Sequence, residues 1–412
     1  MIPSAARRFL RPSGLVPALG LLALGLLAPS AEAQKAAKLD VPITWLDQER
    51  PNRLPPLSLV EPLLDDEGVQ GARLAIKDNQ TTGRFLGQDF RLVERVVPAD
   101  GDLGATFDAA LKAGERLFVT GVDADALMRL APRAEAAGAL LLDAFTQDDD
   151  LRTDRCSPAV FHTSLSRAMK ADALAQYLVW KTWRRWFLIV GSHPEDALLA
   201  AAYRRAATKF GALIVEERTY EDTGGARRTE TGHVQVQRQI PVFTQDAPAY
   251  DVIVAADEAD VFGEYLPYNT WDPRPVTGSV GLVPSAWSRV HEQWGGTQIQ
   301  RRFERLVGRP MTDRDYNAWT AVRAIGEAAT RTGTNEPKKL HDYMVGDAFA
   351  LGAFKGEALT FRKWNQQIRQ PILLVTPRML VSVSPQEGFL HQRTPLDTLG
   401  FDLPESRCSL NP

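Results

Sequence analysis

Short runs of consecutive apolar residues alternate with longer stretches whose apolar positions recur every three or four residues, and this alternation runs through most of the chain. Leu57–Val60, Phe90–Val97, Leu117–Thr120 and Ala139–Leu142 read as strands, the last two apolar throughout, as strands covered on both faces of a parallel sheet are. Between them, Val69, Ala72, Ile76 and Asn79 follow helical spacing behind the acidic turn Asp65-Asp66-Glu67, with Thr81-Thr82-Gly83 as the stop. Leu103–Ala113 predicts the next helix. Asp123 caps a third that carries Leu127, Leu130, Ala131 and Ala134 on one face and is predicted to kink at Pro132. Residues 34–56 are polar and proline-containing and predict an extended lead-in.

After the stretch Cys156–Arg167 the pattern starts again. Ala168–Trp183 and Glu195–Phe210 read as helices around the buried strand Trp186–Gly191, followed by strands at Ala212–Val215, Val252–Ala255 and Val276–Leu282 and a short helix near Ala259–Tyr265. Tyr220–Thr231 is polar and predicts a solvated loop. Trp287–Trp294, Ile299–Leu306 and a long stretch from Tyr316 to about Thr330 read as helices. Leu359–Phe361, Ile372–Thr376 and Leu380–Val383 read as late strands, and residues 385–412 as mostly irregular. Strand alternating with helix on both sides of Cys156–Arg167 predicts two lobes, each a mainly parallel sheet flanked by helices, with Ala159–Ser164 as the first strand of a hinge.

Composition narrows the class. With 412 residues, 44% of them hydrophobic, the chain holds more than one core. A net charge of -3, with no basic block interleaved with aromatics, argues against nucleic acid as a partner. At the start, Arg7, Arg8 and Arg11, the apolar run Leu15–Leu27 and Ala31-Glu32-Ala33 form a secretion signal over residues 1–33, with the mature chain beginning at Gln34. That run is shorter than the roughly 20 residues a spanning helix needs. A periplasmic protein without stable membrane insertion is expected, acting as a monomer. Cys156 and Cys408 either pair or stay as buried thiols, and an oxidising compartment favours the bridge.

Several motifs carry a family likeness. The crossover Pro158-Ala159-Val160-Phe161-His162-Thr163-Ser164-Leu165-Ser166-Arg167, the run Trp186–Gly191, and Phe354-Lys355-Gly356 followed by Leu359-Thr360-Phe361 resemble type I periplasmic binding proteins of the leucine/isoleucine/valine-binding class. Asp78-Asn79-Gln80-Thr81-Thr82-Gly83-Arg84-Phe85, Ala171–Leu178 and Trp183-Arg184-Arg185-Trp186 are similar to the binding proteins encoded with pyrroloquinoline-quinone-dependent alcohol dehydrogenase systems. The resemblance implies a two-lobed α/β fold with a multi-stranded hinge. Lobe 1 would comprise residues 34–163 and about 284–370, and lobe 2 residues 164–283 and about 371–412. It implies a receptor that closes on a small molecule and hands it to a membrane permease powered by a separate ATPase; the alternative is a periplasmic sensor or accessory protein binding a metal ion or cofactor for a quinoprotein dehydrogenase. The chain has no phosphate loop of its own. Ligand contacts are implied at Glu61, Thr120, Gly121, Asp123, Asp143, Ala144, Phe145 and Thr146 in lobe 1 and at His193, Asp257 and Glu258 in lobe 2, with Trp287 following a further strand at the cleft. Where amino-acid binders of the class have a hydroxylated loop and a late acid, this chain has Val122-Asp123-Ala124 and Leu282-Val283-Pro284.

Catalysis lacks a marker. The six histidines show no zinc-ligand spacing, no Gly-x-Ser-x-Gly elbow occurs, and neither cofactor nor resident metal is expected. Acids at Asp143, Asp148, Asp149, Asp150, Asp257, Glu258 and Asp260 read first as helix caps and loop carboxylates, with a hard-cation cleft as the sharper alternative. Phe145 and Trp287, each beyond a strand, are candidates for stacking on a flat ligand.

Overall fold

The computed structural model describes residues 38–50, 64–222, 236–408 and 410. The expected signal segment 1–33, the strand at Leu57–Val60, Glu61 and most of the Tyr220–Thr231 loop lie outside them. The chain opens with β1 (Leu39–Gln48), α1 (Val69–Leu86), β2 (Gln88–Val97), α2 (Leu103–Lys112), β3 (Leu117–Thr120), α3 (Ala124–Ala136), β4 (Leu140–Asp143) and β5 (Val160–His162). These strands form a five-stranded parallel sheet in the order β2-β1-β3-β4-β5.

The expected lead-in over residues 34–56 is therefore wrong at 39–48: Leu39–Gln48 is a central strand with Val41, Ile43, Trp45 and Leu46 buried. Pro42 is tolerated because β3 pairs only with Thr44–Leu46, leaving the proline in the half of β1 that has β2 alone beside it. α1 also runs past its expected stop. Gly83 serves close packing, since a Cβ there would come within 3.0 Å of the Phe90 ring, and Gly87 at φ 69° ends the helix.

A second parallel sheet repeats the plan. It comprises α4 (Arg167–Trp180), β6 (Arg185–Gly191), α5 (Pro194–Phe210), β7 (Leu213–Tyr220), α6 (Val236–Phe243), β8 (Val252–Ala256), α7 (Leu266–Asn269) and β9 (Val276–Gly278), with strand order β7-β6-β8-β9. Then follow β10 (Val283–Ser285), α8 (Gly296–Val307), α9 (Asp313–Thr332), α10 (Pro337–Met344), β11 (Leu351–Gly352), β12 (Ala358–Phe361), β13 (Ile368–Arg369), β14 (Ile372–Thr376) and β15 (Met379–Ser384). α8 and α9 pack on α1, while β10, β14 and β15 pair with one another and cover α4. Trp287–Trp294, expected as a helix, is instead a turn region in which Trp287 alone serves the core: it is 2% exposed and stacks on Tyr316 at 4.8 Å, while Trp294 is exposed.

The chain passes between the two sheets at 163–166, 286–287 and 370–371, and buried polar side chains tie these passages together. Gln370 donates to the Thr163 carbonyl, Gln367 donates to the carbonyls of His162 and Ser164, and the Asp313 carboxylate accepts from Ser285, Ala286 and Trp287. Buried groups need such partners, since an unsatisfied one costs about 1–3 kcal/mol. Cys156 and Cys408 are bonded to each other. The tail that this bond tethers also reaches the second sheet's helices: Lys209 and Arg205 donate to the Gly400 carbonyl, and Asp172 accepts from the Gly400 N–H. Among the described residues no helix is long and apolar enough to cross a membrane.

Candidate functional site

In both sheets the strand order reverses beside the first strand, between β1 and β3 in one and between β6 and β8 in the other. Ligands of open α/β sheets bind outside the carboxyl ends of strands at such points. The residues just beyond those ends are Glu49–Arg50, Gly121–Asp123 and Ala144–Thr146 in lobe 1, and Ser192–His193 and Asp257–Glu258 in lobe 2.

Much of the lobe-1 wall is scaffold. Asp143 is 0% exposed. Its Oδ1 accepts the backbone N–H groups of Phe145 and Thr146, and its Oδ2 accepts the Thr146 hydroxyl at 2.5 Å and faces His162 Nδ1 at 2.8 Å. Arg152 lies beside them, 2% exposed, donating to Gln367, Thr146, the Asp148 carbonyl and Ser164. Burial opposes ionisation of Asp143, but the His162 hydrogen bond and the Arg152 charge outweigh it and hold the carboxyl below its usual range. Burial, reinforced by Arg152, pushes the His162 imidazole down to about 4. Asp143 and Thr146, expected at the ligand, thus form the underside of the loop that carries Phe145. Ala144 is buried with its N–H on the Thr120 carbonyl, and Asp123 caps α3 through Ala126.

The lobe-2 acids are likewise engaged. Asp257, 4% exposed, accepts the N–H groups of Val261, Phe262 and Gly263. Glu258 takes both Nε and Nη2 of Arg167 at 2.7 Å, and Arg167 also reaches Asp148 at 3.2 Å, so one guanidinium joins a loop of each lobe beside the first passage. His193, the cap of α5, faces Asp222 at 2.9 Å, and that hydrogen bond raises its pKa. Trp287 donates its indole N–H to Gln300 inside the core and is not a cleft residue.

The cation-cleft alternative loses its ligands for the same reason. Asp148 pairs with Arg167, Asp149 accepts from Ala168, and Asp150 pairs with Arg155. Among the described residues no group of three or more His, Cys, Asp or Glu is placed to hold a metal ion.

What the geometry adds is a pair of arginines. The guanidinium of Arg50 lies 4.2 Å from the centroid of the half-buried Phe145 ring, and that of Arg314, in the first turn of α9, lies 4.4 Å from it. Arg50 also donates to the Gly121 carbonyl at 2.5 Å and pairs with Asp47 at 3.3 Å, while Arg314 pairs with Glu67 at 3.0 Å. The Phe145 ring is thus already covered by cations. Arg50 carries no signal in the sequence because the strand that places it reads as a lead-in.

Residues 63–228 match the family model described as periplasmic binding protein. An ABC transporter substrate-binding protein from Sphaerobacter thermophilus superposes with a TM-score of 0.68 at 16% identity, over 88% of this chain and 100% of its own. The fold is that of a type I periplasmic binding protein. A branched-chain amino acid ABC transporter periplasmic ligand-binding protein from Burkholderia xenovorans gives a TM-score of 0.67 at 15% identity, covering 90% of this chain and 99% of that one. A substrate-binding protein from Desulfitobacterium hafniense in complex with Leu gives 0.63 at 19%, covering 84% and 99%. No curated protein matches the sequence. Within this fold the passages at 163–166, 286–287 and 370–371 link the two parallel sheets.

Proposed function

We propose that the chain is the periplasmic solute-binding component of an ABC-type uptake system, closing its lobes on one small molecule and presenting it to a permease driven by a separate ATPase. The observation that carries this reading is the pair of parallel sheets linked by three backbone passages, each passage held by buried hydrogen bonds while the strand-end loops carry the side chains that differ from lobe to lobe. Such a hinge bends at few residues and keeps each wall rigid. The similar structures of ABC transporter substrate-binding and ligand-binding proteins support the same reading.

The tie to quinone-dependent alcohol oxidation belongs to the proposal as well and rests on the order of the motifs. Their residues are structural: Asp78 accepts the Trp319 indole N–H and pairs with Arg302, and Asn79 donates to the Val322 carbonyl, fixing α1 to α8 and α9. The ligand is therefore set by the loops and not by these motifs.

The test is a thermal-shift screen of residues 34–412 against amino acids, alcohol-derived acids and aldehydes, and pyrroloquinoline quinone, followed by small-angle scattering with each hit. A hit that reduces the radius of gyration is the expected result. A ligand that raises the melting temperature yet leaves the radius unchanged would refute closure, and a screen without any hit would refute the receptor reading.

A further inference from the structure

We infer that the lobe-1 wall is built for the carboxylate of a small organic acid that carries no ammonium group, with Arg50 as the residue that reads the charge. The inference rests on the interlobe binding proposed above and names the chemistry of its ligand.

The position of Arg50 comes first. It stands two residues beyond β1, at the reversal between β1 and β3. Gly121, just beyond β3, lets the two segments meet, since a Cβ there would come within 2.9 Å of both the Asp47 carboxyl carbon and the Trp45 ring. That approach brings Arg50 Nη1 onto the Gly121 carbonyl and the Asp47 carboxylate. Nη1 is the far nitrogen of the fork. Its use there leaves the edge formed by Nε and Nη2, and Nε–H is enclosed with no acceptor among the described residues. A guanidinium edge of two parallel N–H groups matches a carboxylate in a bidentate pair, which is stronger and more directional than a single hydrogen bond. The side chain keeps 30% exposure although Nε itself is enclosed, so the carboxylate pairs with this edge as the wall opens to admit it.

Second, the site is rigid and doubly cationic. Phe145 packs on both guanidinium groups, and its loop is held from below by the buried Asp143 and Arg152. Arg314, 37% exposed, adds a second positive charge within about 9 Å of the first, since each guanidinium lies close to the centroid of the same Phe145 ring. Thr120, 0% exposed and adjoining Gly121, has a hydroxyl without a partner among the described residues, a second enclosed polar group at the same reversal. Beyond the end of β6 in the second sheet stand His193 and the amino end of the 17-residue α5, whose backbone dipole also favours negative charge.

Third, the acids at the carboxyl ends of β4 and β8 are consumed: Asp143 by its own loop, Asp257 by three backbone N–H groups and Glu258 by Arg167. An α-amino acid would bring its ammonium into this cationic wall. A hydroxy or oxo acid of the same skeleton would not.

The experiment is calorimetric titration of residues 34–412 with leucine, its 2-hydroxy-acid and 2-oxo-acid analogues and the amide of the hydroxy acid, repeated on the phenylalanine skeleton. The hydroxy or oxo acid of at least one skeleton should bind at least tenfold more tightly than both the amino acid and the amide. Arg50→Gln should lose at least tenfold of that affinity, with Arg50→Lys in between and the thermal midpoint of the free protein kept. If Arg50→Gln does not fold, Arg314→Gln should show a loss in the same direction. Equal or tighter binding of the amino acid or amide overturns the inference, as does unchanged affinity in both arginine variants or no heat from any of the acids. Compaction by an amine or a neutral ligand would overturn the carboxylate assignment while leaving lobe closure standing.

Discussion

Replacing Lys355 by methionine isolates the electrostatics of the third hinge passage. Lys355 is 1% exposed, and its ammonium donates to Gln370 Oε1 at 2.6 Å and the Pro371 carbonyl at 2.9 Å, 4.8 Å from the Tyr316 ring centroid. Burial pushes its pKa down from 10.5 to about 7, with Asp313 opposing weakly. His291, itself depressed by burial, is the other titrating neighbour that feels this charge. Below pH 7 both folded and unfolded chains hold the proton and the folded state bears the full penalty, about 5 kcal/mol at 1.36 kcal/mol per unit. Between pH 7 and 10.5 the unfolded chain binds more protons, so the stability of the wild type rises with pH. Urea unfolding of wild type and Lys355→Met at intervals from pH 6 to 10 measures this directly. The stability of wild type relative to the variant should climb by about 4 kcal/mol over that range, because groups common to both chains cancel. The two acceptors left without a donor in the variant cost about 1–3 kcal/mol each, but that loss is independent of pH. Parallel stability profiles for the two proteins would refute a low pKa at Lys355.

Three further outcomes are expected. Arg152→Met leaves Asp143 buried beside His162 without its guanidinium and should destabilise by about 3–5 kcal/mol in denaturant titration. Cys408→Ser opens a bridge that spans 252 positions; up to about 5 kcal/mol of chain-entropy stabilisation is lost, read as a lower melting temperature and faster proteolysis of the tail. Gly71→Ala would place a Cβ 1.8 Å from the Asp315 carbonyl oxygen, and should cost about 1–3 kcal/mol or more by prising α1 from α9, measured by urea unfolding.

The sheet elements that were readable share a cause. Leu117–Thr120, Leu140–Asp143 and Val252–Ala256 are covered on both faces, so their strand character is written as unbroken apolar runs. β1 hides because Pro42, Thr44, Asp47 and Gln48 interrupt its run, although the strand is central where β3 joins it. Gly83 misleads because a glycine chosen for close approach looks like one chosen to end a helix. In the site, sequence order points to the strand-end loops but cannot tell a carboxylate facing outward from one turned under its own backbone. Asp143 and Asp257 are of the second kind, and the hydrogen-bond donors that turn them inward come from partners the linear pattern does not reveal. Arg50 and Arg314 become neighbours only through Phe145, across more than half the chain.

The packing of α1 on α9 also imposes an order of assembly. The Gly68 N–H and the Asp315 carboxylate meet across 247 positions, and Asn79 and Gln88 find their carbonyl partners on α9 at similar range. The β6–β9 sheet, by contrast, closes within one continuous segment. As the chain emerges from its amino end, the second sheet can complete itself while the first still exposes the apolar face awaiting α9, because loop closure over so many residues comes late. The lobe made first is therefore finished last, and during that interval its uncovered sheet is the part of the molecule most open to misassembly.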